Sequence, residues 1–115
     1  ICMVSDQHAP AASVVLDFFG RPAATPRGPA LFAIRNKCPV VPTLLRRERY
    51  DRHVIMAGEP IYPPHSGDEE ADIRRMTEAY TKFFEEGIRT YPDQWLWTHR
   101  RWKLEKSATH RAGKA

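Results

Sequence analysis

The sequence has no long apolar run. Val14-Val15-Leu16 is stopped by Asp17, and Leu31-Phe32-Ala33-Ile34 by Arg35, far short of the roughly 20 consecutive apolar residues a spanning helix needs. The opening residues also lack the basic region and apolar core of a signal peptide. Cysteine is scarce. Cys2 and Cys38 are too few for a disulfide framework or a four-cysteine zinc site, and they read as two free, buried thiols of a reducing compartment. Neither CxxC nor HExxH occurs, and His8, His53, His65, His99 and His110 are scattered, so no metal set is expected. GxSxG, the Walker loop and GxGxxG are missing as well, and no cofactor is expected.

What is present suits one small domain. A length of 115 residues is too little for two, and 42% hydrophobic with 28% charged residues is an ordinary globular composition. The net charge of +4 is unevenly spread. Asp68, Glu69, Glu70, Asp72, Glu78, Glu85 and Glu86 form an acidic stretch, whereas Arg100, Arg101, Lys103, Lys106, Arg111 and Lys114 face only Glu105. Such a basic end can meet nucleic acid, anionic lipid or a phosphorylated substrate. Residues 105–115 read as a solvated basic tail behind a domain of residues 1–104. Trp95, Trp97 and Trp102 lie among the arginines, and that much aromatic area seldom stays in water.

Ile1-Cys2-Met3-Val4-Ser5 reads as the middle of a buried strand, so a fragment of a longer protein is expected. The polar turn Asp6-Gln7-His8-Ala9-Pro10 follows. Ser13 to Phe19, ending at Gly20, reads as a second strand. Thr25-Pro26 spells a helix start, with Thr as N-cap and Pro at the first position, for a short helix ending near Asn36. Cys38–Leu45 and Arg49–Gly58 read as a hairpin turning at Glu48 to Asp51. A loop follows at Pro60, Pro63, Pro64 and Gly67. Ser66 and Glu69 spell a capping box. Behind it Ile73, Met76, Tyr80, Phe83, Phe84 and Ile88 recur every three or four residues as one helical face. A last helix carrying the tryptophans is expected after Tyr91-Pro92. Strands mixed with helices give an α/β or α+β class.

Three features offer chemistry. His65 and Glu70 have the spacing of a general base and its orienting acid, but they flank a capping box, where Glu is expected for helix-dipole reasons. Asp6-Gln7 follows a strand, a favoured position for a site in open α/β sheets, although a turn-forming Asp explains it too. Thr25 to Gly28, beside Arg21 and Arg27, offers helix N–H groups to a phosphate or is a plain cap.

The run Tyr91-Pro92-Asp93-Gln94-Trp95-Leu96-Trp97-Thr98-His99-Arg100-Arg101-Trp102-Lys103 resembles the C-terminal signature of bacterial lipid A biosynthesis acyltransferases, the lauroyl/myristoyl transferase family. Asp6-Gln7, Phe18-Phe19-Gly20 with Thr25 and Gly28, and Cys38-Pro39-Val40-Val41-Pro42 fall in that family's order. The resemblance implies an α/β fold, the C-terminal part of a glycerolipid-acyltransferase-like mixed sheet flanked by helices. It implies transfer of a fatty acyl chain from acyl carrier protein to a hydroxyl of a Kdo-bearing lipid A precursor, at the cytoplasmic face of the inner membrane. The family's H-x-x-x-x-D/E dyad is expected upstream of Ile1, with a membrane anchor earlier still, so this segment alone is expected to be inactive. His65 and Glu70 match the dyad's spelling but not its place.

By the same resemblance, Asp6 and Gln7 are supporting catalytic positions. Gly20, Thr25 and Gly28 form a turn close to the site, and Arg100 and Arg101 hold phosphate or Kdo carboxylates. Salt bridges from those arginines to the acidic helix are the structural alternative. Two other functions compete. One is a small nucleic-acid-binding module that stacks bases on the tryptophans. The other is a non-catalytic interaction domain.

Overall fold

A computed structural model describes residues 1–103, and the expected basic tail, residues 105–115, lies outside the described residues. The α/β class is present. Strands β1 (Ser13–Phe18) and β2 (Arg21–Pro26) precede helix α1 (Gly28–Asn36). Strands β3 (Thr43–Arg49) and β4 (Arg52–Ala57), helix α2 (Glu69–Thr90) and a single 3-10 turn at Pro92–Gln94 follow. The strands pair as two antiparallel hairpins, β1 with β2 and β3 with β4.

The first hairpin turns on Phe19 (φ 53°) and Gly20 (φ 75°). Two positive φ values in succession match the right-handed strand twist, and glycine takes its share without strain. Phe19 is held there from outside: its N–H donates to Glu85 Oε1 at 3.0 Å, and the Arg89 guanidinium stacks on its ring at 4.8 Å.

Helix α2 follows the apolar spacing of its sequence. Ile73, Met76 and Tyr80 are buried against Ala30 and Ala33 of α1. In its last turn, Ile88 packs with Phe18 and Ala23. The molecule therefore has two apolar clusters strung along α2. Arg27 and Glu70 tie the starts of the two helices by a two-pronged ion pair of 3.0 and 2.6 Å.

Several expectations are corrected. Residues 1–5 form no strand. A strand exists through its neighbour's hydrogen-bond ladder, and none lies beside this segment among the described residues. Ile1 and Val4 are accordingly exposed. Cys2 and Cys38 are free, as expected, but Cys2 is exposed and Cys38 only half-buried. Thr25 and Pro26 belong to β2, and α1 starts two residues later behind Arg27, which makes no side-chain cap. The N-cap of α2 is Asp68, which accepts from the Ala71 N–H at 3.2 Å. Ser66 instead donates its hydroxyl to Asp72 at 2.6 Å. Past the 3-10 turn the tryptophan segment is irregular rather than helical, because Trp95 and Trp102 bond across the fold, to Asp6 and the Phe18 carbonyl, instead of lying along one helical face.

Gly58 marks a close approach between the second hairpin and α2. A Cβ there would sit 2.8 Å from two atoms of the Phe83 ring and 3.1 Å from Pro42. Gly58→Ala should therefore destabilise the chain by about 1–3 kcal/mol, the usual cost of overpacking. Gly28→Ala, where nothing lies within 4 Å, should leave denaturant midpoints nearly unchanged. Equal midpoints for the two variants would refute the packing account.

Candidate functional site

The two ends of the described chain meet at the turn formed by residues 6–9. Trp95 donates its indole N–H to Asp6 Oδ2 at 3.2 Å. The His8 backbone N–H donates to His99 Nε2 at 2.9 Å, and the Ala9 N–H to the Ala24 carbonyl at 3.3 Å. The turn is thus strapped to β2 on one side and to the tryptophan segment on the other.

Arg101 sits at the junction. It is 1% exposed and heads the fully buried side chains by volume. Its guanidinium donates to the Ala24 carbonyl at 2.7 Å and to Thr25 Oγ1 at 2.8 Å, and it stacks on the Phe18 ring at 4.9 Å. Thr25 passes its own hydroxyl proton to the Ala23 carbonyl at 3.2 Å. Burial pushes the guanidinium below its ordinary value, with the Asp6 charge pulling the other way. An arginine still keeps its proton in a protein. The result is a buried cation held by neutral dipoles and a ring face.

The aromatic side chains build the wall behind this cation. Phe18 packs against Trp95 at 5.5 Å and Trp102 at 5.7 Å between centroids. Trp102 donates to the Phe18 carbonyl at 3.0 Å, and Arg21 stacks on its outer face at 5.0 Å. These two indoles are packed, with their N–H groups engaged, and are not a free stacking platform.

The residues singled out in the sequence therefore separate into groups. Asp6, Thr25 and Arg101 converge on one locus. Gln7 lies exposed in the same bend. Arg100 is exposed, whereas its neighbour Arg101 is buried. Neither reaches an acid of α2 in any described ion pair, which was the structural alternative for both. Gly20 turns the hairpin at the far end of β2 from Thr25, roughly 16 Å away at the usual strand rise. Gly28 opens α1 in free space. His65 is exposed, and Glu70 is occupied by Arg27, so these two form no catalytic pair. Arg27 is thereby also taken from the phosphate role that the helix start suggested.

Sequence reasoning missed His8 and His99. Both are within two residues of positions it did select, Asp6 and Arg101, and that adjacency was the available signal. His8 Nδ1 is buried with no hydrogen-bond partner among the described residues. Burial first, then the positive fields of Lys103, Arg101 and His99, hold the His8 imidazole below its ordinary 6.5. The locus is therefore cation-rich around a single carboxylate, an arrangement that favours an anionic group beside it.

Comparison with known proteins agrees with the C-terminal signature. The family described as bacterial lipid A biosynthesis acyltransferase matches residues 1–104. A phosphatidylinositol mannoside acyltransferase of Mycobacterium tuberculosis (strain CDC 1551 / Oshkosh) is 25% identical over 116 residues, covering 97% of this chain and 34% of that protein. One of Mycolicibacterium smegmatis is 27% identical over 97% of this chain and 35% of that protein. The chain thus spans about a third of the length of these curated relatives.

Two outcomes follow from the geometry. Arg101→Gln should cost about 2–4 kcal/mol, since charge-assisted bonds of roughly 1.5–3 kcal/mol each are lost inside the fold. Arg100→Gln should cost little, and equal melting temperatures for the two would contradict the burial of Arg101. The second outcome concerns pH. The folded chain takes up the His8 proton less readily than the unfolded chain, so this stability is complete above about pH 6.5 and is lost as pH falls below it. Melts across that window should decline with acid, and His8→Asn should flatten the slope. An unchanged slope would show that His8 is not coupled to folding.

Proposed function

The chain belongs to the bacterial lipid A biosynthesis acyltransferase family, and from that membership we propose that it is the C-terminal portion of an enzyme that acylates an anionic glycolipid. The domain is residues 1–104 and the basic tail residues 105–115, at the cytoplasmic face of the bacterial inner membrane. The acyl donor is acyl carrier protein, and the acceptor is a hydroxyl of a Kdo-bearing lipid A precursor.

One observation carries this reading. The signature run closes on the Asp6 turn through Trp95 and His99, and on strand β2 beside it through Arg101. In chemical terms, an acceptor hydroxyl attacks the thioester carbonyl as a positioned base takes its proton; the ester C–O bond forms, the C–S bond breaks, and the carrier-protein thiolate leaves with that proton. The base is the histidine of the expected H-x-x-x-x-D/E motif. Asp6 acts beside it, its carboxylate aimed by Trp95. Thr25 and Arg101 set the backbone on which that turn rests. Arg100 and Lys103, both exposed at this end, meet the acceptor's phosphate or carboxylate groups.

A second acceptor has its own support. The curated relatives are named phosphatidylinositol mannoside acyltransferases, so a mannosylated phosphoinositide is the competing substrate. Both acceptors are anionic glycolipids, and the cation-rich locus suits either.

The test uses the protein at the length of its mycobacterial relatives, with acyl carrier protein thioester as donor and each glycolipid in turn as acceptor. Transfer to the lipid A precursor is expected, and transfer to the mannoside alone would assign the second acceptor. Asp6→Ala should lower the rate at least tenfold while the melting temperature holds, because the carboxylate that supports the base is lost, a part of the roughly 10²–10⁴ in rate that a positioned base supplies. No transfer to either glycolipid would overturn the proposal.

A further inference from the structure

Hairpin β3–β4 has two unlike faces. The inner one is absorbed by the fold: a Cβ added at Gly87 would collide with the Leu44 side chain, and Arg46 stacks on Tyr91 at 4.8 Å. Across the register, Leu45 opposes Ile55 and Arg47 opposes His53. All four point outward, since burial alternates along both strands. Leu45 is 64% exposed and Ile55 72%, and Tyr50 at the tip is 96% exposed.

A solvated sheet face is ordinarily polar. Here two aliphatic side chains face each other in water, and the tip carries an aromatic ring. The charge around them is also selective. Glu48 is bound by Arg52 at 2.8 Å and Arg46 at 3.6 Å, so those cations are compensated. Arg47 and Arg49 flank the apolar residues, with Asp51 the remaining acid at the tip. With Tyr50, His53 and the acids Glu48 and Asp93 they line an open hollow of about 720 Å³. The face is also rigidly presented. Gln94 accepts from the Arg47 N–H at 2.7 Å and donates to its carbonyl at 2.8 Å, so the strand cannot roll away from the signature segment.

We propose that the outer face of this hairpin docks on an anionic bilayer, with Leu45, Ile55 and Tyr50 entering the headgroup layer and Arg47 and Arg49 pairing with lipid phosphates. The inference rests on the membrane-surface reading above and adds the face that makes the contact. Aliphatic and tyrosine side chains ringed by arginine suit the interface, where the ring and stems bury and the charges stay wet. Charge complementarity selects negatively charged lipid. An acidic protein would satisfy the arginines but leave the aliphatic pair without a comparable apolar layer.

The experiment sediments this chain with phosphatidylcholine vesicles, with and without phosphatidylglycerol. Binding should require the anionic lipid and weaken with salt. Leu45→Ser with Ile55→Ser should lower the partition constant about tenfold at an unchanged melting temperature. Arg47→Gln with Arg49→Gln should lower it roughly 25-fold and flatten the salt dependence, at about fivefold per cation near the surface. Suppose binding survives both hairpin variants and is lost only in Lys106→Gln with Arg111→Gln and Lys114→Gln. The hairpin proposal is then overturned while the membrane reading stands. No vesicle binding by the parent chain overturns the hairpin proposal and leaves the membrane reading to the anchor expected upstream. Loss of acyl carrier protein binding in the hairpin variants, with vesicle binding intact, overturns the bilayer in favour of an acidic protein.

Discussion

A guanidinium cannot shed its charge on burial, and Arg101 is buried with no carboxylate at bonding distance among the described residues. Taking such a group out of water costs several kcal/mol. The Ala24 carbonyl, the Thr25 hydroxyl and the Phe18 ring face offset that cost. All three belong to the first hairpin, so the segment that bears Arg101 has one docked position and no sliding alternatives. His99, two residues earlier, is thereby fixed against the backbone of His8. Trp102, one residue later, is fixed against the end of β1. The Asp6 turn inherits its place from this chain of contacts.

The tryptophans work with the cation. Each spends its single N–H on a defined acceptor, Asp6 for Trp95, the Phe18 carbonyl for Trp102 and the Pro92 carbonyl for Trp97, and Trp95 and Trp102 also pack their rings against Phe18. Directional bonds at the rim of an apolar cluster fix orientation, which apolar area by itself does not. A carboxylate at a loop turn is in this way aimed by a residue 89 positions away in sequence. The acids of α2 serve a separate purpose. Glu70 joins the two helices through Arg27, and Glu85 holds the strained Phe19 turn. The acidic helix is thus a scaffold for the hairpin and for α1, and among the described residues its acids pair with neither Arg100 nor Arg101. Asp6 and Thr25 are therefore placed by packing on both sides before any substrate arrives.

Much of the fold was legible because its cause is local. The apolar face of α2 needs only a period of 3.6 residues, and Ile73, Met76, Tyr80 and Ile88 all lie where that period puts them. Strand β1 and the second hairpin were readable from their turn residues and apolar runs, whereas β2 was not, because Arg21–Pro26 carries two prolines and ends on the spelling of a helix start. The family was readable as well, because the signature run and Asp6-Gln7 are sequence patterns in their own right. Other features had no local cause. Residues 1–5 have the composition of a strand and none of its ladder. Ser66 and Asp68 are both acceptable N-caps, and the helix start was settled by which of them the backbone could reach. Most of all, Arg100 and Arg101 are identical neighbours on paper, each equally able to bind an anion or pair with an acid. Only the folded chain puts one in solvent and the other under Phe18. The physical reason is that burial and long-range hydrogen bonds depend on which surfaces meet, and those surfaces come from residues some 76 to 91 positions apart.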